Sequence, residues 1–375
     1  MTDLYCPIIH GGLTINLKSN GLVEYKHCCI RNADNLHYDD DFAVSADLNF
    51  DFFNSKELDP LRKTNLKNIW DKGCATCRLN ESSGYESFRT GMIKGLGKQV
   101  NLTGPTKLDL QFDIGCNLAC RICAPKQSSF WQKHLQDNDL PNPIGKYKSR
   151  ADEMLCILKN LDLSNLKMVT MSGGETLLGN SYWKITKYLA SVVPNIILCF
   201  QTNGTQSIHE KHHELLEKFD LVKLHISLDG IQDKFEYQRW PASWAQVTDN
   251  ILEIRETAPT NTMFLVEETI GVMNVLYQNE LDSWLKKYFS ENRLGDKIEH
   301  TKHLVKKEYS LQNITNEYYQ LLQEKNLSSL VSENWKENPQ EVQELVKKIK
   351  QFDLIRDQDF AKTFPEVAEC YRRYF

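Results

Sequence analysis

The sequence predicts an α/β fold: a parallel sheet with crossover helices, open or closed into a barrel. A small cysteine-rich segment precedes it and helices follow it. Three observations carry this expectation. Between Lys107 and Thr269, strand-like runs alternate with runs of helical period, the pattern of repeated strand–helix units. The first 80 residues hold only short apolar runs but five cysteines, Cys6, Cys28, Cys29, Cys74 and Cys77. The last 70 residues read as helices, with Val342, Leu345, Val346, Ile349 and Phe352 on one stripe.

Taken in order, "LTINL" and "LVEY" are short apolar runs, "YDDDF" is an acidic loop, and Leu61–Trp70 is helical. This part is too small for a large core, and a metal cluster would be a natural staple for it. Gly91–Thr106 is rich in Gly and polar residues and reads as a linker. "KLDLQFD" alternates with period two and predicts a strand; a helix follows, capped by Ser128 or Ser129. "ADEMLCILKNL" sets Met154, Leu155, Leu158 and Leu161 on one helical face. "KMVTMSG", "IILCFQT", "VKLHISLD" and "MFLVEET" read as strands; "SYWKITKYLASVV", "EKHHELLEKF" and Ala245–Thr257 read as the helices between them. The expected domains are residues 1–95, 105–305 and 306–375.

At roughly 100–200 residues per domain, 375 residues suit two or three domains, or one larger barrel with a small companion. The apolar fraction of 41% and charged fraction of 25% are those of an ordinary globular chain. A net charge of −5 argues against wholesale nucleic-acid binding, which needs a basic face, and leaves a local basic patch open. No run reaches the roughly 18 apolar residues of a membrane span, so no membrane partner is expected. "MTDLYCPIIHGGLTINL" lacks the basic start and apolar run of a signal peptide, so the expected compartment is cytoplasmic. In a reducing cytosol, cysteines serve as metal ligands or reactive thiols rather than disulfides.

Cys116, Cys120 and Cys123 form a C-x3-C-x2-C group just after a strand, at the rim where parallel α/β folds place their chemistry. Three thiolates can each hold one iron of a 4Fe–4S cube, leaving the fourth iron open to a small molecule. The alternatives are a zinc site completed by a distant fourth ligand and three cysteines of no common purpose.

With these residues, Lys107–Tyr277 resembles the radical SAM superfamily. The resemblance implies a partial (β/α)6 TIM-like barrel. It implies a 4Fe–4S cluster on Cys116, Cys120 and Cys123 whose unique iron is chelated by S-adenosylmethionine. "TMSGGETL" matches the family's Gly-Gly-Glu motif at Gly173, Gly174 and Glu175, to which the resemblance gives the methionine amino group. The strand ends "QTNG" and "ISLDG" look like those lining the family's cofactor pocket. They make Asn203 and Ser227 candidates for the ribose or methionine moiety. Arg239 is a candidate for the methionine carboxylate. Asp229 reads as a turn former. Cys199, on a strand, reads as core packing, with hydrogen-atom donation to a substrate radical as the alternative; Cys156 and Cys370 read as small packing residues.

The five N-terminal cysteines resemble a twitch domain, a short relative of the SPASM domain that holds an auxiliary 4Fe–4S cluster. Trp70, Glu81, Gly84, Ser87 and Arg89 around the C-x2-C clip add to the likeness. The segment departs from the pattern by preceding the barrel and by its long spacing from Gly21 to Cys28. The implied ligands are Cys6, one of Cys28 and Cys29, Cys74 and Cys77; zinc suits four cysteines equally well.

The resemblance implies reductive cleavage of S-adenosylmethionine to a 5′-deoxyadenosyl radical that takes hydrogen from a substrate. A peptide or protein is the expected substrate, in a maturase-like modification. A small sugar- or nucleotide-like molecule is the alternative. An auxiliary cluster would accept an electron or position the substrate, and the electron donor would be a flavodoxin or ferredoxin. Two further readings stay open: a non-catalytic iron–sulfur or zinc scaffold, and an RNA-modifying enzyme. Glu81, Arg89 and "QDNDLPNPIG" read as solvated surface by default.

Overall fold

The structure, a computed structural model, describes residues 4–18, 20–30, 42–82, 86–100, 102–142, 148–291, 295, 297–305, 307–332 and 334–375. The strands are β1 (Gly12–Leu17), β2 (Val23–Lys26), β3 (Phe42–Ser45), β4 (Lys107–Gln111), β5 (Met168–Ser172), β6 (Ile197–Thr202), β7 (Leu221–Ser227), β8 (Thr262–Ile270) and β9 (Glu299–Leu304). The helices before and among the first strands are α1 (Pro7–Gly11), α2 (Asp59–Leu66), α3 (Ala75–Ser82), α4 (Phe88–Leu96), α5 (Ser129–Asp137), α6 (Ala151–Asn160), α7 (Ser181–Val192) and α8 (His213–Leu216). The later ones are α9 (Gln232–Gln238), α10 (Trp244–Thr257), α11 (Gln278–Tyr288), α12 (Asn316–Glu324), α13 (Pro339–Arg356), α14 (Phe360–Thr363) and α15 (Pro365–Cys370). This is a mixed α/β chain with a parallel sheet, which fits a partial TIM-like fold. No helix among the described residues is long and apolar enough to cross a membrane.

The chain divides into two compact units. One comprises Met1–Gly115, Ile144–Gln201 and His209–Lys223; the other comprises Cys116–Pro143, Thr202–Ile208 and Leu224–Phe375. In the first unit the strand order is β3-β2-β1-β4-β5-β6. The contacts of β2 with β1 and β3 are antiparallel, while β1, β4, β5 and β6 run parallel. Because side chains alternate across a strand, the register sorts them into rows. Leu13, Leu108, Val169 and Leu198 form one buried row, and Ile15, Leu110, Met171 and Phe200 the next. On the opposite face Thr14, Asp109, Thr170 and Cys199 form a polar row, followed by Asn16, Gln111 and Ser172.

The units do not divide where the sequence suggests. β1 hydrogen-bonds in parallel with β4, so the N-terminal segment shares a sheet with the strands after residue 105. Nor is Gly91–Thr106 a plain linker. Its first residues finish α4, which opens with a capping box: Thr90 N donates to Ser87 Oγ at 3.1 Å and Ser87 N to Thr90 Oγ1 at 2.9 Å. On α6 the buried stripe is Ala151, Met154, Ile157 and Leu158, with Leu155 and Leu161 half-buried. The helix expected over "EKHHELLEKF" shrinks to a 3-10 turn and the four-residue α8, where His212 stacks on Trp183 at 3.8 Å.

In the second unit β8 and β9 run parallel. β9 was not legible as a strand because it carries charge instead of apolar alternation. Its His300 lies 3.2 Å from Glu268 and 3.0 Å from Asp282, and Lys302 lies 2.9 Å from Asp282. The core gathers Ile270, Val272, Tyr318, Leu322, Leu345 and Ile349, so the α13 stripe is buried as expected. A smaller cluster joins Phe352 of α13 to Ala119, Trp131 and Leu135.

Ile15 is fully buried in β1. If the N-terminal strand is integral to the sheet, Ile15→Ala costs about 2–5 kcal/mol of unfolding free energy, measured by urea denaturation with an unchanged slope. A change within about 0.5 kcal/mol would mean that β1 is peripheral.

Candidate metal centre and cofactor site

The loop Cys116–Cys123 is held by main-chain bonds. Ala119 N donates to Trp240 O at 2.8 Å, Arg121 N to Gln238 O at 2.8 Å, and Cys123 N to Cys120 O at 3.0 Å. The start of α5 ties the same loop from another side. Ser128 accepts from Trp131 N at 3.1 Å, as expected of a cap, and its hydroxyl donates to Leu118 O at 2.6 Å. Cys116 N donates to Ser129 Oγ at 3.1 Å, and Trp131 Nε1 to Cys120 O at 2.8 Å.

The three thiols sit in one another's field. Burial first, then Cys123 and Cys116, push Cys120 far up, against the pull of Arg239. Burial pushes Cys123 up to about 11, with Cys116 adding to the rise. These directions are those of free thiols in a dry site; a bound cation reverses them.

α9 delivers Arg239 to these cysteines. The guanidinium is buried and its Nη2 lies 2.7 Å from Asp229 Oδ2. Burial works against its charge, yet Asp229 and the Cys120 field hold it above the ordinary arginine value. Its Nε has no hydrogen-bond partner among the described residues. Asp229 is not the turn former expected from "SLDG". It is fully buried, its Oδ1 accepts from Thr269 N at 2.8 Å, and its carbonyl accepts from Gln238 Nε2 at 2.8 Å and Asn274 Nδ2 at 3.0 Å. Asn203 also belongs to this unit. Its Nδ2 donates to Asn117 Oδ1 at 3.1 Å and lies 3.9 Å from Cys116 Sγ, while Oδ1 accepts from Thr205 N at 2.9 Å. Ser227 ends β7, half-buried.

In the first unit the Gly-Gly-Glu turn lies flush against residues 113–115. Gly174 N donates to Asp113 O at 3.0 Å and Glu175 N to Gly115 O at 2.7 Å. Gly173 has φ +137°, and a Cβ there would stand 2.3 Å from Asp113 O; one on Gly174 would stand 2.1 Å from Gly115 O. Only glycines allow this approach. Glu175 is fully buried and accepts from Leu177 N at 3.0 Å. Cys199 is buried in the polar row of β6.

The first unit also draws Cys6, Cys28, Cys74 and Cys77 around one cavity, with His27, Trp70 and Arg89 on its wall; Cys29 is exposed and does not line it. Cys6 caps α1. Burial pushes its thiol up to about 11, opposed by hydrogen bonds from the Ile9 and Ile8 amides. Burial also raises Cys77, opposed by the Arg89 amide and the Ser87 hydroxyl. Glu81, Ser87 and Arg89 form a network here rather than free surface: Arg89 Nε donates to Glu81 Oε1 at 2.9 Å, Ser87 Oγ to the same oxygen at 2.6 Å, and Arg89 Nη1 to Tyr5 O at 2.7 Å. Gly84 lies outside the described residues, as do Pro143, Ile144 and Gly145 of "QDNDLPNPIG". Among the described residues, no three His, Cys, Asp or Glu side chains meet at single-ion distances.

Sequence reasoning passed over Arg121, Trp131 and Asn117, which brace the cysteine loop, and Arg356, whose guanidinium lies 4.7 Å over the Trp131 ring. Only the three-dimensional contacts reveal them, since no spacing marks them in the chain.

The profile of the radical SAM superfamily matches residues 111–273. A GTP 3',8-cyclase of Clostridium perfringens (strain SM101 / Type A) is 26% identical over 175 residues, covering 44% of this chain and 50% of that protein. The chain thus spans half the length of the curated relative it matches. Among solved structures, native anSMEcpe with bound AdoMet overlaps at a TM-score of 0.39 with 16% identity, over 68% of this chain and 62% of that one. Streptococcus suis SuiB bound to precursor peptide SuiA overlaps at 0.36 with 12% identity, over 95% and 74%. The stretch that matches the radical SAM superfamily, residues 111–273, holds both the cysteine loop and the Gly-Gly-Glu turn.

Proposed function

We propose that this chain is a radical SAM enzyme that modifies a peptide or protein. The observation that carries the chemistry is the C-x3-C-x2-C loop within the superfamily domain, braced by main-chain bonds and with a buried arginine beside its thiols. Cys116, Cys120 and Cys123 would hold a 4Fe–4S cluster. The donor set fits it: three mutually close thiols and no fourth in the loop. S-adenosylmethionine also fits the residues present. Arg239 keeps a buried Nε with no hydrogen-bond partner among the described residues, suited to a carboxylate, while Gly173 and Gly174 seat the Gly-Gly-Glu turn against the backbone of residues 113–115. Asn203 and Ser227 are assigned to the ribose or methionine moiety, and Glu175 to the methionine amino group.

When bound and supplied with an electron from a flavodoxin or ferredoxin, this pair of cofactors supplies radical hydrogen abstraction. The protein's own part is to bind, orient and shield. Cys6, Cys28, Cys74 and Cys77 would hold a second 4Fe–4S cluster, with the Ile8, Ile9 and Arg89 amides donating to sulfur. The twitch-like reading rests on this cavity and on the resemblance.

The polar face of the first unit favours a peptide over a triphosphate. Lys26 lies 3.0 Å from Glu24, and Lys107 pairs with Asp109, so these lysines are engaged already. Polyphosphates are bound by cations free to pair with them. A nucleotide substrate is the second reading, favoured by the similarity to a GTP 3',8-cyclase. Cys199, on the same polar face, is the candidate hydrogen-atom donor.

Two experiments test this. Under anaerobic reduction, release of 5′-deoxyadenosine is measured with a panel of unmodified peptides and with GTP. A rate rising at least tenfold with a peptide supports the first reading; a rise with GTP alone supports the second. No release under any condition would leave the scaffold reading. Iron is also counted in Cys28→Ser and Cys29→Ser. Cys28→Ser is expected to fall from about eight irons to about four, with Cys29→Ser unchanged. The reverse, or zinc in the N-terminal site, would contradict the assignment.

A further inference from the structure

Three buried arginines lie in or beside the cysteine loop, and among the described residues only two have a carboxylate. Arg239 pairs with Asp229 at 2.7 Å. Arg121, fully buried and stacked 3.8 Å over Tyr237, pairs with Asp353 at 2.5 Å. Asp353 also accepts from Tyr237 Oη at 2.6 Å and from Phe360 N at 2.8 Å. Arg356 is the third. It ends α13, is 6% exposed, and is caged by the rings of Trp131 (4.7 Å), Trp240 (4.9 Å) and Phe352 (4.7 Å). Its Nε donates to His134 Nε2 at 3.3 Å, while Nη1 and Nη2 have no hydrogen-bond partner among the described residues. His134 supplies no negative charge: burial, then Arg356 itself, lowers it to about 4, so it is neutral at pH 7.

An uncompensated buried cation is costly, and aromatic faces recover only part of that cost. Burial lowers Arg356 to about 10, which still leaves it charged at neutral pH. Its surroundings lead directly to the cysteine loop. Trp131 donates to Cys120 O, and Ala119 and Cys123 belong to the same apolar cluster as Phe352 and Trp240. Arg356 also lies within the electrostatic reach of Cys120. A 4Fe–4S core on three thiolates carries one net negative charge, and two once reduced. The missing counter-charge of Arg356 is then the cluster, and the attraction grows on reduction.

We propose that Arg356 is a positioning and tuning residue: its uncompensated charge, carried under the cysteine loop by the end of α13, raises the reduction potential of the cluster on Cys116, Cys120 and Cys123. This rests on the cluster reading above. Net charge around a cluster is one of the protein's means of setting its potential. The C-terminal helices thereby act on the electron-accepting step as well as on packing.

The test is an EPR-monitored redox titration of the reconstituted full chain, following the signal that S-adenosylmethionine perturbs. Arg356→Met removes the charge and keeps the bulk. It is expected to disfavour reduction about tenfold, a midpoint about 59 mV lower. Arg356→Lys keeps the charge and is expected to stay near wild type. Asp353→Asn leaves Arg121 uncompensated and is expected to move the midpoint the opposite way. A fully loaded Arg356→Met with an unchanged midpoint would overturn the proposal. If Arg356→Met fails to load iron, Arg356→Gln, which also removes the charge, decides: a lower midpoint with a near-wild-type Arg356→Lys upholds the proposal, and an unchanged midpoint overturns it. A wild-type chain with no signal responsive to S-adenosylmethionine removes the cluster reading, and this inference with it. A signal that responds while the potentials stay unmoved removes this inference alone.

Discussion

Two main-chain hydrogen bonds, from Ala119 to Trp240 and from Arg121 to Gln238, hold the cysteine loop in its place. They pair a segment otherwise without regular structure with the backbone around Arg239, as a strand pair would. Flexible loops are poor frames for a multi-atom cofactor, because each ligand must be held against its own conformational entropy. Here Ala119 and Arg121, on either side of Cys120, have fixed partners, and the backbones of Cys116, Cys120 and Cys123 are each hydrogen-bonded as well. Trp131, Ser128 and Ser129 at the start of α5 complete the brace. The same return bonds place Arg239 beside Cys120 and Cys123 without any contact chosen for that purpose.

Charge around this loop follows from that placement. Burial makes free thiols hard to ionise, and the arginines beside them offset it. Asp229 and Asp353 keep two of these cations paired, each carboxylate being itself anchored by backbone or hydroxyl donors. The site is dry, rigid and biased toward holding negative charge, which is what an anionic cofactor requires. The N-terminal cavity uses a different device. The sulfurs of Cys6 and Cys77 face amide N–H groups at the start of α1 and α4, with the Arg89 charge acting on both, so helix-end dipoles join a full charge there.

Much of the α/β core was readable because strands such as Lys107–Gln111 and Met168–Ser172 alternate or run apolar, and because Cys116, Cys120 and Cys123 are close in sequence. What escaped reading depends on distant partners. β9 is charged and pairs in parallel with β8, its His300 and Lys302 lying beside Glu268 and Asp282. The parallel pairing of β1 with β4 spans nearly a hundred residues and leaves no local mark. Cys28 and Cys29 are chemically identical neighbours, and only the turn after β2 decides which one faces the cavity. Asp229 sits in a sequence typical of a turn, yet its carboxylate is claimed by Thr269 and Arg239. Arg356 reads as an ordinary basic residue at a helix C-terminus until its aromatic cage is seen.

The central claim is that the three clustered cysteines, within the stretch that matches the radical SAM superfamily, hold a 4Fe–4S cluster. The most direct test is to reconstitute the chain anaerobically and count iron and sulfide per chain, before and after changing Cys116, Cys120 and Cys123 together to alanine. The account predicts a fall from about eight irons to about four, with one cluster lost and one kept. A fall from about four to none would keep the superfamily chemistry and remove the second cluster. An iron content unmoved by the triple change would contradict the central claim.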